Sequence, residues 1–236
     1  MRNFLLYKKQ LRPGTICDKI RKITNERGNR AMKESYKTVK HQATDEIVEK
    51  RSRFIADVKP VETEEAALAF LEEIKKKYWD ARHHVYAYVL EENNIQRYSD
   101  DGEPAGTAGV PVLDMIKKEG LTNLIVVVTR YFGGILLGTG GLVHAYSKSA
   151  KVGVEAAQPI TMTLCCEMTV ECDYSLLGKI QSEVCAKGYE ISSTDYAENV
   201  KISALVPTSD VSAFEADMID KTNGRISIKQ GKIGYY

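Results

Sequence analysis

The feature that most constrains this chain is an apolar run followed at once by a cluster of glycines. Residues 124–132 read Leu-Ile-Val-Val-Val-Thr-Arg-Tyr-Phe, and five glycines lie among the nine residues from Gly133 to Gly141. A β-branched run of this length is typical of a strand covered on both faces. The residues after Gly141 favour a helix. The segment therefore predicts a strand, a tight loop and a helix in succession.

So many glycines in one loop need a physical reason, and two are available. Glycine is selected where φ is positive, or where the backbone comes close to another group. A glycine loop entering a helix also presents unpaired N–H groups and the positive end of the helix dipole, which suits an anion. The segment is neither a Walker loop nor a dinucleotide fingerprint, because no Lys-Ser/Thr pair follows it and Val143 replaces a required glycine. A purely structural turn and an anion site both stay open.

Length, composition and cysteine usage bound the class of protein. A chain of 236 residues can form two ordinary domains, and 43% hydrophobic with 28% charged residues is a globular composition. No apolar run approaches the length of a membrane span, so we predict no membrane contact. The five cysteines lack a C-x-x-C spacing, which favours reduced thiols in a cytoplasmic protein over disulfides or a zinc site.

Residues 1–31 differ from the rest of the chain. They carry nine basic and two acidic side chains without a sustained hydrophobic period. We expect either a disordered basic tail or a segment that precedes the natural start of translation at Met32. The remaining chain is mildly acidic, so a polyanion contact requires a local basic patch.

Hydrophobic patterns divide residues 32–236 into two predicted domains, 32–160 and 161–236. In the first, strands are predicted at 35–39, 44–49, 52–58, 82–90 and 124–132. Helices are predicted after a Thr63 cap, at 110–118 and from about Gly141, with a turn-rich segment at 97–109. In the second, the order βαββαβ predicts a ferredoxin-like fold, with strands at 161–172, 189–196, 200–206 and 225–229.

Three acids and two histidines are candidate metal-binding residues. Asp100, Asp101 and Glu103 crowd one turn, but the alternating acids of a calcium loop are missing, so we predict that they shape the loop rather than bind a metal. Whether they pair with an arginine stays open. His83 and His84 are adjacent in a predicted strand and must face opposite sides, so they cannot chelate one ion. The cysteines at 165, 166, 172 and 185 are predicted to be buried apolar residues.

Two long motifs carry a family resemblance. Residues 98–111 read Tyr-Ser-Asp-Asp-Gly-Glu-Pro-Ala-Gly-Thr-Ala-Gly-Val-Pro, and residues 129–142 read Thr-Arg-Tyr-Phe-Gly-Gly-Ile-Leu-Leu-Gly-Thr-Gly-Gly-Leu. Over roughly residues 32–236 the chain resembles the IMPACT family, in its bacterial YigZ/YvyE branch. The resemblance implies a two-domain α+β protein. Its first domain is similar to the second domain of small-subunit ribosomal protein five, and its ferredoxin-like second domain is similar to domain V of elongation factor G.

The resemblance also implies a link to translation. Two such domains in tandem resemble the ribosome-facing end of elongation factor G, although a fold by itself does not establish a function. Eukaryotic IMPACT proteins regulate the amino-acid-starvation kinase through an additional N-terminal domain. We expect residues 1–31 to be too short for that domain, so the kinase-regulating role is not carried over.

We therefore predict a protein that binds RNA, the ribosome or another translation component through an anion site. The candidate site residues are Arg82, His83, Arg97, Tyr98, Arg130, Tyr131, Gly133, Gly134, Gly138, Thr139, Gly140 and Gly141. One alternative is an enzyme or binding protein for a small phosphorylated ligand, similar in fold to galactokinase and homoserine kinase. Another is a protein-interaction module. No catalytic residue, metal or cofactor is predicted, and the oligomeric state is undetermined.

Overall fold

The computed structural model of the chain describes residues 33–236, so the predictions for residues 1–31 lie outside the described residues. The described chain falls into two compact units. The first unit comprises residues 36–162, and the second comprises residues 33–35 with 163–236. Both units mix helices with strands, which confirms the predicted α+β fold class.

The first unit is built on one antiparallel sheet. Its elements are β1 (Ser35–Val39), β2 (Ala43–Glu49), β3 (Ser52–Pro60), α1 (Glu64–Lys77), β4 (His83–Leu90), β5 (Ile95–Ser99), α2 (Gly109–Lys118), β6 (Leu124–Tyr131) and α3 (Gly138–Ala156). The sheet order is β2-β3-β6-β4-β5, and every neighbouring pair is antiparallel. The strand β6 therefore lies at the centre of the sheet.

Helices cover both faces of this sheet. Val126 and Val128 pack in the cluster that contains α2 and α3, whereas Ile125 and Val127 pack in the cluster that contains α1. All four side chains are fully buried. The predicted strand covered on both faces is thus confirmed, and its unbroken apolar run follows from having two faces to bury.

The start of α1 also matches its prediction. Thr63 Oγ1 accepts a hydrogen bond from the amide of Ala66 at 3.2 Å, as expected for an N-cap. The helix buries the apolar stripe of Ala67, Phe70, Leu71 and Ile74. Local capping and periodicity were sufficient to predict this element.

Three predicted boundaries were wrong. The turn-rich segment does not begin at Arg97, because residues through Ser99 pair with β4 as strand β5. The helix predicted from about Gly141 begins one turn earlier, at Gly138. The last strand extends to Tyr235, beyond the predicted end, because a shift in register between Gln230 and Ile233 lets the pairing resume.

The second unit has the predicted ferredoxin-like topology. Its elements are β7 (Pro159–Cys172), α4 (Leu177–Ala186), β8 (Glu190–Tyr196), β9 (Val200–Pro207), α5 (Val211–Thr222) and β10 (Ile226–Tyr235). Four strands of its sheet follow the order β10-β7-β9-β8, which is expected of a βαββαβ unit, and β1 also lies beside β7 in this five-stranded sheet. Ile180 and Phe214 anchor the two helices in the core of this unit.

The cysteines of the described chain are free thiols. Cys165, Cys166 and Cys172 are buried in β7 as predicted, but the predicted burial of Cys185 was wrong, because its side chain is exposed. Among residues 33–236, no helix has the length and apolarity needed to cross a bilayer.

Candidate functional site

The glycine segment, residues 133–141, leaves the sheet where β6 ends. Tyr131 lies opposite Arg53 in the antiparallel ladder, and Arg130 lies opposite His83. The last residues of β6 thus meet the first residues of β3 and β4. This edge of the first unit is termed the loop end of the sheet.

Gly133 packs directly against the turn between β2 and β3. Its amide donates a hydrogen bond to Ser52 Oγ at 3.1 Å. A Cβ at position 133 would lie 2.0 Å from the carbonyl carbon of Arg51, so no side chain fits there. Gly133 therefore has a structural role, and it holds the turn residues Lys50 and Arg51 beside the glycine segment.

The other four glycines do not share that role. Gly134 and Gly138 have positive φ angles of 81° and 74°. A Cβ on Gly141 would lie 3.0 Å from the side chain of Leu137. Gly140 is exposed in the first turn of α3, and a Cβ there would meet nothing within 4 Å. A glycine within a helix lowers stability by about 0.5–1 kcal/mol relative to alanine. Since packing does not exclude a side chain at position 140, packing does not explain why glycine is there.

The start of α3 offers N–H groups that no side chain caps. The first amides of a helix have no intrahelical acceptor, and residues 33–236 supply none for Gly138, Thr139 or Gly140. The first turn also contains no acidic side chain. The positive end of this 19-residue helix is therefore not neutralised locally.

The direction of α3 brings its first turn to the loop end. Ser149 Oγ donates to the carbonyl of Phe54 at 3.3 Å, and Gly153, one turn later, faces Ala56 further along β3. The helix therefore runs away from the loop end. Its first turn lies about 16 Å before Ser149, and Arg51 lies about 10 Å before Phe54 along the strand.

Lys50 and Arg51 form a two-residue basic turn at the loop end. Both have positive φ angles, 44° and 65°, where hairpins usually place Asn-Gly. Both side chains are exposed, and neither forms an ion pair within residues 33–236. By contrast, Arg53 bonds Glu46 at 2.8 Å, and this carboxylate raises the pKa of Arg53. Sequence analysis missed the basic turn as part of the site.

Three predicted site residues also lie at the loop end. Arg82 is exposed and has no ion pair in the described part of the chain. Tyr131 donates to Asp80 Oδ1 at 2.6 Å, and burial together with this carboxylate raises the pKa of Tyr131 to about 12. His83 Nδ1 lies 2.8 Å from the carbonyl oxygen of Asp101. Of these three, only Arg82 offers a free positive charge.

Arg130 lies at the loop end but is not free at the surface. Its side chain is 8% exposed, and its Nη1 donates to Glu103 Oε1 at 2.6 Å. Its guanidinium also lies over the rings of Phe54 and Phe132, at 5.4 Å and 5.7 Å. Tyr146 OH donates to the same Glu103 oxygen at 2.7 Å. The charge of Arg130 is therefore balanced inside the fold, and the residue anchors the strand that enters the glycine segment.

The three acids fold the acidic loop, residues 100–108, onto its surroundings. Asp100 accepts from the amides of Gly106, Ala108 and Gly109 at 2.8, 3.1 and 2.8 Å. Asp101 Oδ2 accepts from the amide of His84 at 2.6 Å. Glu103 is the acid that pairs with an arginine. The carboxylates thus have separate partners rather than a shared ligand.

Arg97 and Tyr98 are not brought to the glycine segment. Arg97 pairs with Tyr88 on the α1 side of the sheet, and its Nε lies 3.9 Å from Glu64 in α1. Tyr98 lies on the edge strand β5, with its ring against Gly109. Both lie several residues back from the loop end, so the structure separates them from the other candidates.

A surface cavity of about 280 Å³ lies elsewhere in the first unit. Its lining residues are Lys37, Glu119, Leu121, Pro159, Ile160 and Thr161. Leu121 precedes the first residue of β6, so this cavity lies at the opposite end of that strand from the glycine segment.

Comparisons with known proteins place this site within a family. Residues 50–154 match the profile of the Impact N-terminal domain, and residues 170–225 match a "domain of unknown function (DUF1949)". The chain is 43% identical over 205 residues to "IMPACT family member YvyE" of Bacillus subtilis (strain 168), covering 86% of this chain and 94% of the relative. The chain belongs to the IMPACT family.

Two further comparisons extend the family relationship. "IMPACT family member YigZ" of Escherichia coli (strain K12) is 36% identical over 182 residues, which cover 76% of this IMPACT chain and 89% of the relative. A solved structure titled "Crystal structure of an hypothetical protein" is 34% identical, with a TM-score of 0.54 and coverage of 85% and 99%. The first family match begins at Lys50 and includes the basic turn, the acidic loop and the glycine segment.

Proposed function

We propose that this IMPACT family protein binds RNA of the translation apparatus and holds its phosphate groups at the loop end of the first unit. The observation that carries the proposal is the basic turn. Lys50 and Arg51 are exposed, unpaired within the described chain and held in left-handed backbone conformations beside Gly133. Such strain costs roughly 1–3 kcal/mol per residue and clusters at binding sites, which supports a functional role for these two residues.

Three kinds of group provide the phosphate contacts in this proposal. The amides of Thr139 and Gly140 donate to phosphate oxygens at the positive end of α3. Lys50, Arg51 and Arg82 supply charge. The absence of a side chain at Gly140 allows close approach of the backbone. Because phosphate contacts carry no base information, binding through these groups is independent of sequence and sensitive to salt.

The translation apparatus is proposed as the source of the RNA because of the family. The resemblance of both domains to ribosome-facing domains supports it, and so does the role in translational regulation that the IMPACT family implies. The kinase regulation of eukaryotic members is left out of the proposal. No catalytic step is proposed.

Co-sedimentation of the full chain with ribosomes at two salt concentrations tests the proposal. The test variant is Lys50→Ala/Arg51→Ala/Arg82→Ala. The matched control is Lys40→Ala/Lys117→Ala/Lys118→Ala, which removes the same charge from exposed positions away from the loop end. We expect the wild type and the control to bind alike. Each lost phosphate contact lowers the salt slope by about 0.7–0.9, so the test variant should lose roughly 2.

Two results would contradict the proposal. Equal loss of binding in both triple variants would show a dependence on total charge rather than on the loop end. A folded wild-type protein that fails to sediment with ribosomes at low salt would remove the RNA assignment. A screen of nucleotides and phosphorylated metabolites would then be the next experiment.

A further inference from the structure

An exposed tryptophan lies in the segment between α1 and β4. Trp79 is the single tryptophan of the chain, and 82% of its surface is exposed. It makes no ring contact with another described residue. Tryptophan carries the largest apolar surface of any residue, so the fold leaves a large aromatic face in water where most proteins bury it.

The segment that carries Trp79 is held in place on both sides. The Tyr78 amide donates to the Ile74 carbonyl at 3.0 Å, and the Ala81 amide donates to the Tyr78 carbonyl at 2.9 Å. The next residue, Asp80, accepts the hydroxyl of Tyr131 at 2.6 Å. The last bond ties the segment to the final residue of β6, so Trp79 is presented at the loop end by an ordered backbone.

A second exposed ring lies on the same strand end. Phe132 follows Tyr131 directly, and 57% of its surface is exposed. The guanidinium of Arg130 lies 5.7 Å from the centre of its ring. Arg130 therefore supports Phe132 from within the fold, and the ring is available on its outer side.

Unpaired cations lie near these rings along the chain, or through the contact of Gly133 with the basic turn. Lys76 precedes Trp79 by three residues, Arg82 follows it by three, and the basic turn lies beyond Gly133. Residues 33–236 offer none of these side chains an ion pair. Exposed aromatic faces interspersed with free cations suit a single strand, whose bases stack on rings while its phosphates meet charge. In a duplex the bases are already stacked on each other and are not accessible.

We propose that Trp79 and Phe132 stack on unpaired bases of a single-stranded RNA segment, an inference that rests on the proposed function and names its substrate class. The loop-end cations and the first amides of α3 hold the phosphates between and beside the stacked bases. The protein therefore prefers unpaired over paired RNA. A membrane surface also attracts aromatic and basic residues, so anionic vesicles are the competing ligand in the test.

The emission of Trp79 reports the contact directly, because no other tryptophan contributes. The full chain is titrated with a 12-nucleotide single-stranded RNA, with the same sequence as a duplex, and with anionic phosphatidylglycerol vesicles. We expect quenching by the single strand, weaker binding of the duplex and no response to the vesicles. Equal affinity for single strand and duplex, or a blue shift with vesicles alone, would overturn the inference.

Anisotropy of a labelled single strand tests the residue itself. Stacking is worth about 1–3 kcal/mol per base, so Trp79→Ala should weaken binding roughly 5- to 150-fold, and Trp79→Phe should weaken it less. Tyr196→Ala is the control, because Tyr196 is also exposed, at 62%, but belongs to the second unit. Wild-type binding by Trp79→Ala would refute stacking while leaving the proposed function intact. Absence of any RNA binding by the wild type would remove both.

Discussion

Two helices of the first unit begin after glycine-containing loops. The first amides of α2 have a side-chain acceptor, whereas those of α3 do not. At α2, the carboxylate of Asp100 accepts from the amides of Ala108 and Gly109. At α3, no side chain caps the helix, and the described chain supplies no acceptor for the amides of Thr139 and Gly140. The acidic loop thus satisfies the helix amides with its own carboxylate and is closed to a ligand, whereas the amides at the glycine segment are open to one.

The difference shows what a carboxylate in such a loop does. Asp100 satisfies the start of α2 and neutralises its dipole, which leaves nothing for an anion to bind. The glycine segment has no acid, so its donors are available to a ligand. The two regions are linked, because Glu103 of the closed loop bonds both Arg130 and Tyr146, which precede and follow the open segment. The acidic loop therefore holds in place the residues on either side of the glycine segment.

The largest effect is expected where that link is broken. Glu103→Gln removes the charge opposite Arg130, whose side chain is 8% exposed. Leaving a buried charge unpaired costs about 3–5 kcal/mol, so the free energy of unfolding in urea should fall by that amount. The control is Glu119→Gln, which changes an exposed acid of the same unit. A loss under about 1 kcal/mol would show that the ion pair does not hold the two loops together.

A smaller loss is expected when the closed loop is opened. Asp100→Ala leaves three amides without their acceptor, two of them on the buried residues Ala108 and Gly109. We expect the free energy of unfolding to fall by about 2–3 kcal/mol, and hydrogen exchange at these two amides to accelerate. Asp114→Ala, at an exposed position of α2, is the matched control. Unchanged exchange at Ala108 and Gly109 would contradict the capping role of Asp100.

Alkaline pH distinguishes the contribution of the Tyr146 hydroxyl to stability from that of the Arg130–Glu103 ion pair. Burial, and then the nearby Glu103, raise the pKa of Tyr146 well above its ordinary value near 10. The folded state thus favours the protonated hydroxyl, so its contribution is complete below about pH 10 and is lost as pH rises further.

Tyr146→Phe is the corresponding variant. It should cost about 1–2 kcal/mol at pH 7, because one hydrogen bond to a carboxylate is lost. Between pH 10 and 11 the wild type should lose up to about 1.4 kcal/mol more than the variant. The measurement is urea denaturation of both proteins at pH 7, 10 and 11. Parallel losses in the two proteins would assign the alkaline instability to other groups.

Much of the fold could be predicted because its signals are local. The Thr63 cap, the stripe of α1 and the βαββαβ order each depend on residues close together in sequence. The strand β5 was not predicted, because its polar residues from Arg97 to Ser99 resemble a turn, and only pairing with β4 makes them part of a strand. The predictions were wrong where pairing between distant segments outweighs local preference.

The candidate site was less predictable for the same reason. The glycine segment and Arg82 were found from residue type. The basic turn was not, because Arg51 meets Gly133 only through the register of β3 with β6. An arginine at a strand end gives no sign of its burial, so Arg130 was predicted to contact the anion, whereas its guanidinium pairs with Glu103 inside the fold. The exposure of Trp79 likewise could not be predicted from the residues around it in sequence.

The smallest expected change in the free energy of unfolding is an increase. It tests most directly the difference between the starts of α2 and α3. Gly140→Ala adds a Cβ with nothing within 4 Å, at a helical position, so the free energy of unfolding should rise by about 0.5–1 kcal/mol. Because Cβ atoms of a helix tilt toward its N-terminus, the added methyl should hinder a ligand from reaching the first amides, so ribosome and RNA binding should weaken. A more stable protein with unchanged RNA affinity would contradict the open role of α3.

Gly133→Ala is the matched substitution, because it adds the same methyl where the backbone of Arg51 lies 2.0 Å away. It should destabilise the protein by at least about 1–3 kcal/mol, since a backbone shift is required. Urea denaturation and RNA anisotropy of the two variants together separate the two reasons for glycine in one segment. A glycine kept for packing loses stability on substitution, whereas a glycine kept for a ligand gains stability and loses binding. If both variants lost stability, the segment would be a structural turn, and the difference between the two helix starts would carry no functional meaning.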